Sequence, residues 1–115
     1  MPLAVETDDF GRMVCSLTHG TQTAVVTAAT FANASSDLWD ALDQLETRGL
    51  GECYWDESTG EYRWVFRRTG ESIRVAVMWS IGTMTGWEHV FWAECPAAGF
   101  LDQAREELLK TRALA

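Results

Sequence analysis

The spacing of apolar residues changes period along the chain, and each change predicts an element. Residues 3–8 read as a short strand, and Asp9-Phe10-Gly11 as a turn. Residues 12–18 alternate, with Met13, Cys15 and Leu17 on one face. His19-Gly20 suits a hairpin turn. Residues 22–31 are rich in Thr and Val, which suit a pleated surface. Either Val25/Ala29/Phe31 or Ala24/Val26/Ala28 could supply their inner face. The period then becomes helical: Leu38, Ala41, Leu42 and Leu45 form one stripe, with Trp39 at its edge. Ser35 or Ser36 is the expected cap, Asp37 and Asp40 the expected acids of the first turn, and Gly49 the left-handed terminator.

From residue 51 to 95 the period is two again. Glu52–Asp56, Glu61–Arg68 and Glu71–Trp79 read as strands joined by Glu57-Ser58-Thr59-Gly60 and by Thr69-Gly70. Trp55 then falls opposite Tyr62, and Cys53 opposite Trp64. A Thr69-Gly70 loop sets Phe66 opposite Ile73, Trp64 opposite Val75 and Tyr62 opposite Val77. An aromatic row beside a β-branched row is a favourable cross-strand pairing, and a one-residue slip would expose all of it. The other face is mixed and groups Arg63, Arg67 and Arg74. Residues 80–88 lack periodicity and read as a long loop; residues 89–95 return as a strand. A last helix begins near Pro96, with Phe100, Leu101, Ala104 and Leu108 on one face and Leu109 beside them. The order is β-β-β-α-β-β-β-β-α. We expect an α+β fold, an antiparallel β-sheet with two helices packed on one face, in a single domain over residues 1–115.

Composition narrows the classes of partner. The chain has 115 residues, 9 Lys+Arg against 17 Asp+Glu, and a net charge of −8. Nucleic acid and anionic membrane surfaces both call for clustered cations, so neither is an expected partner. No apolar run approaches the roughly 18 residues of a membrane-spanning helix. The start lacks the features of an export signal, so the expected location is cytoplasmic. Cys15, Cys53 and Cys95 are odd in number and widely spaced, which fits reduced thiols. Asp37, Asp40, Asp43 and Glu46 make one side of the first helix negative, a surface complementary to a basic partner.

Candidate chemistry is sparse. His19 and His89 make no metal site, and no cofactor motif, nucleophile motif or carboxylate pair is identifiable. An enzyme would need the arginines, Glu88, His89 and Glu94 to converge on one cleft. The arginine group at 63, 67 and 74 could hold a carboxylate or phosphate through fork geometry. The chain also has six Trp. Trp55, Trp64 and Trp79 suit the inward row, whereas Trp87 falls in the long loop and Trp92 alternates with Phe91, so that one of the pair faces outward. Exposed aromatics at that junction suit an interface anchor.

The runs Cys53-Tyr54-Trp55, Gly60-Glu61-Tyr62-Arg63-Trp64-Val65-Phe66-Arg67-Arg68 and Ile73-Arg74-Val75-Ala76-Val77-Met78-Trp79 carry a distinctive pattern, as does Ala93-Glu94-Cys95-Pro96 before the last helix. In this the chain resembles a group of small bacterial proteins with a G-E-Y-R-W-x-F-x-R-x-G-x-x-[IV]-R-V-x-V-x-W motif. The resemblance covers roughly residues 31–110 and implies a bacterial source and a shared fold. It brings no activity and no functional residues.

The expected function is a non-enzymatic protein-binding module, of inhibitor, immunity or chaperone type, with Trp87, Phe91 and Trp92 as candidate contacts and a partner that is basic. A homodimer through the same aromatics is a second possibility. The alternative is a small-ligand or anion-binding module using Arg63, Arg67 and Arg74.

Overall fold

Alternation decides which side of each strand is dry. The computed structural model describes residues 3–7, 10–82 and 86–114, with the side chains of the last helix described as far as residue 111. Its elements run β1 (Leu3–Thr7), β2 (Met13–His19), β3 (Gln22–Ala28), α1 (Phe31–Arg48), β4 (Leu50–Glu57), β5 (Gly60–Thr69), β6 (Ser72–Ser80), β7 (Glu88–Pro96) and α2 (Ala97–Leu114). The α+β class and the element order are those expected. The strands are divided between two antiparallel sheets, β1-β2-β3 and β4-β5-β6-β7.

The inner face of the first sheet carries Met13, Cys15 and Leu17, as expected, together with Ala24, Val26 and Ala28. This resolves the ambiguity of β3, where Val25 faces out. In the second sheet Cys53, Trp55, Trp64, Phe66, Ile73, Val75 and Val77 face inward with Phe91, Ala93 and Cys95. Both helices and both sheets contribute to one continuous core. All three cysteines are free thiols and buried. Trp79 is only partly buried and packs on Tyr62, ring centroids 4.6 Å apart.

The β4–β5 register is as expected, with Trp55 opposite Tyr62 and Cys53 opposite Trp64. The β5–β6 register is shifted by two residues. Phe66 lies opposite Val75, Trp64 opposite Val77 and Tyr62 opposite Trp79. The reason is the turn: Thr69 pairs with Ser72, so the loop residues are Gly70 and Glu71, and Gly70 takes the left-handed φ of 61° that opens such a turn. A two-residue shift preserves the faces, so the aromatic row stays inside. The first hairpin behaves alike: His19 pairs with Gln22, which places the turn at Gly20-Thr21.

Helix α1 begins at Phe31, not after Ser35-Ser36. Thr30 is the N-cap without a side-chain cap bond, and Ser35 is buried within the helix. The early start lets Ala34 and Phe31 pack on the core. Asp37 and Asp40 consequently lie beyond the first turn, which holds no acid. The expected end holds: Gly49 is left-handed at φ 77°, and its N–H donates to the Leu45 carbonyl over 2.9 Å. In α2, Phe100, Leu101, Ala104 and Leu108 are buried as expected, while Leu109 is exposed. The Glu106–Lys110 pair forms across one turn at 3.7 Å.

Exposed strand edges are sites for unwanted pairing, and on two of them here a side-chain amide engages the main chain of one residue. Gln103 of α2 accepts from the Leu3 N–H (3.0 Å) and donates to the Leu3 carbonyl (2.6 Å). Nearby, the Thr111 hydroxyl lies 3.1 Å from the Val5 carbonyl. Gln22 treats Trp92 of β7 in the same way, donating to its carbonyl (2.8 Å) and accepting from its N–H (3.1 Å). At the other end of β3 the Ala29 N–H donates to the Asp56 carbonyl of β4 (2.9 Å). Among the described residues no helix is long and apolar enough to cross a membrane.

Candidate functional site

The face of β4-β5-β6-β7 turned away from the core is the candidate site. Pairing arranges it in rows: Glu52, Val65, Ala76 and Trp92 across the middle, with Tyr54, Arg63, Met78 and His89 on one side and Leu50, Arg67, Arg74 and Glu94 on the other. The buried residues of these strands all belong to the opposite face, apart from Ser80 at the strand end.

Trp92 stands on this face 49% exposed. Phe91, its neighbour, is 1% exposed and packs in the core, which removes it from the expected contact surface. Strand alternation forces that division. A bulge between Val77 and Met78 accommodates Val90 as an extra residue in β7, so His89 rather than Val90 faces Met78.

Trp87 is 37% exposed and reaches back over β4 and β5. The Arg63 guanidinium lies 5.9 Å from the Tyr54 ring centre and 6.0 Å from that of Trp87, and the two rings are 6.2 Å apart. Glu52 accepts from Arg63 at 2.8 Å. That hydrogen bond, foremost, raises the Arg63 pKa against a smaller desolvation effect. A cation within reach of two neighbouring rings and held by a carboxylate is a pre-ordered polar–aromatic patch. Tyr54 and Glu52 join the candidate site although the linear pattern did not single them out. Their signal was Tyr54 facing Arg63 in the β4–β5 register, already available from the hairpin.

The expected arginine group is only partly brought together. Arg63 is engaged by Glu52, and Arg74 meets Glu94 at 3.5 Å. Arg67 lies directly opposite Arg74. The carboxylates and His89 do not converge: Glu94 sits by Arg74, whereas Glu88 and His89 lie toward the other end of β7, opposite Trp79 and Met78. Among the described residues no cluster of His, Cys, Asp and Glu could hold a metal ion.

Of loop 80–88, Ser80 closes β6 and residues 83–85 lie outside the described residues. The rest borders an open cavity of about 380 Å³, with Asp56, Glu61, Ile81 and Trp87 in its lining. A second groove of about 380 Å³ runs between α1 and β4, lined by Asp37, Asp40, Gln44, Glu52, Tyr54 and Asp56. Burial, then the charges of Asp40 and Asp56, raise the Asp37 pKa. The remaining acids of α1 are turned elsewhere: Arg105 donates to Asp43 and to Glu46, each at 2.8 Å, and stands 5.7 Å from the Trp39 ring centre.

Comparison with protein-family profiles, with curated proteins and with solved structures returns no match. The functional reading therefore rests on the residues themselves.

Proposed function

We propose that the chain is a protein-binding module without catalytic activity, of inhibitor, immunity or chaperone type, and that its contact surface is the outer face of β4-β5-β6-β7. The observation that carries this reading is Trp92, half exposed in the middle row of an uncovered sheet face, with the Tyr54–Arg63–Trp87 cluster beside it. Aromatic side chains and arginine dominate binding energy at protein interfaces when they sit centrally and lose their water. Here Tyr54, Arg63 and Trp92 are presented on a sheet, which limits the ordering cost of association.

A photo-crosslinking residue at position 92 or 87 tests the reading in extract from the source organism. One discrete adduct is expected at these positions and none at exposed Glu106 on α2. Equal adduct patterns from all three positions would overturn it. An adduct of twice the chain's own mass, matched by light scattering, would make the occupant a second copy.

A second reading has its own observation. Arg67 directly opposite Arg74 is a like-charge pair that a bound phosphate or carboxylate would relieve. Millimolar phosphate should then raise the melting temperature, and Arg67→Ala should abolish the rise.

A further inference from the structure

Side chains engage the outward main chain at Leu3 and Val5 of β1 and at Trp92 of β7, and the other edge of the four-stranded sheet is β4. Just before β4 the Gly49 carbonyl accepts from Arg68 of β5, while the Asp56 carbonyl of β4 turns the other way and accepts from Ala29. Main-chain groups alternate in direction along a strand. Those of Glu52 and Tyr54 therefore point away from β5, like those of Asp56. β4 ends its sheet, so among the described residues no strand pairs with them. Alongside runs the groove under α1, where every ionisable group of Asp37, Asp40, Glu52 and Asp56 is acidic. At its Asp56 end a small cavity of about 50 Å³ is lined partly by Trp55, whose buried indole N–H has no acceptor.

Main-chain donors and acceptors in a row, with a groove beside them, are what strand addition uses: backbone pairing supplies affinity and flanking side chains supply selectivity. The acids select the occupant. A second copy of β4 would set Glu52 and Asp56 against their own counterparts, so charge disfavours self-pairing. The outer edge of β3, at Thr23 and Val25, carries no charge with which to choose. We propose that the β4 edge takes up an extended basic segment of a partner protein as an added strand, its backbone pairing with Glu52 and Tyr54 and its lysines or arginines meeting Asp37, Asp40 and Asp56. This rests on the reading of the chain as a protein-binding module, but its contacts are main-chain groups at the β4 edge, at the opposite end of the sheet from β7 and Trp92.

The test uses the full chain and the capped peptide Lys-Thr-Lys-Val-Lys-Thr-Lys. Binding should slow amide exchange at Glu52 and Tyr54. It should weaken about tenfold in the Asp37→Asn/Asp40→Asn variant. It should be lost when alternate peptide nitrogens are methylated, since those cannot donate to the edge, and when glutamate replaces lysine. Exchange unchanged at residues 52 and 54 would overturn the proposal, and so would equal binding of the methylated peptide, which would reduce the effect to non-specific charge attraction. Unfolding of the double variant is checked by its melting curve, and the methylated peptide keeps the test decisive in the unaltered protein. Peptide binding without a crosslink at position 92 sinks the sheet-face reading alone; a crosslink without peptide binding sinks the edge alone.

Discussion

The side-chain amide of Gln22 makes to Trp92 the two hydrogen bonds that a neighbouring strand would make. One side chain thus joins the first sheet to the outer edge of the second. It also holds the backbone of the residue on which the proposed contact surface is centred. Gln22→Ala should cost about 1–3 kcal/mol, the range for two ordinary hydrogen bonds. Gln22→Glu keeps the acceptor for the Trp92 N–H but cannot donate to the carbonyl, and should fall between. Urea unfolding gives the order. Equal stability of all three proteins would mean the bonds contribute nothing net.

Gly51 and Gly99 should respond to alanine in opposite directions. A Cβ at Gly51 would overlap the Ala41 carbonyl and come within 3.2 Å of the Leu45 nitrogen, both helix backbone that cannot swing aside. Gly51→Ala should therefore lose about 3 kcal/mol or more, as overpacking against main chain does. At Gly99 of α2 the added methyl meets nothing within 4 Å. Gly99→Ala should gain about 0.5–1 kcal/mol through helix propensity. Paired thermal melts decide the matter, and a neutral Gly51→Ala would show that α1 can shift off β4.

Burial pushes the thiols of Cys15 and Cys53 well above the ordinary thiol range, with nearby acids adding to the effect. The folded state then holds these protons where the unfolded chain releases them. Stability should accordingly fall as pH rises past the unfolded thiol value of about 8.5. Cys15→Ala should flatten that decline. At pH 8 an aromatic disulfide reagent should label neither thiol faster than the chain unfolds; prompt labelling of either would contradict the core assignment.

Asp37 titrates high because it is partly desolvated and crowded by Asp40 and Asp56. For an acid whose folded pKa is raised, the penalty is absent below the unfolded value and complete above the folded one. Asp37→Asn should thus stabilise the protein slightly at pH 7, by a few tenths of a kcal/mol for so exposed a site. It should have no such effect at pH 3. Denaturant curves at the two pH values check the sign, and a gain of equal size at both would assign it to something other than charge.

Much of this protein was legible in its residues one by one. The period of two placed Trp55, Trp64 and Phe66 on one face, and the period of 3.6 placed Leu38, Leu42 and Leu45, because burial acts on each side chain in turn. The same alternation required that one of Phe91 and Trp92 be exposed, but not which. Local signals competed elsewhere. The local pattern reads Thr69-Gly70 as the turn, whereas the pairing of whole strands places it at Gly70-Glu71, moving the register by two while leaving the faces intact. Ser35 and Ser36 were good caps in isolation, yet packing of Phe31 and Ala34 extended α1 past them. The sequence by itself determined the α+β class, the element order and the inner faces of β2, β4, β5 and β6, since these follow from local periodicity. Tertiary structure alone decided the division into two sheets, the exposure of Trp92, the Tyr54–Arg63–Trp87 cluster and the open edge of β4. Each of those depends on which distant segments meet, and the spacing of residues along one strand does not contain that information.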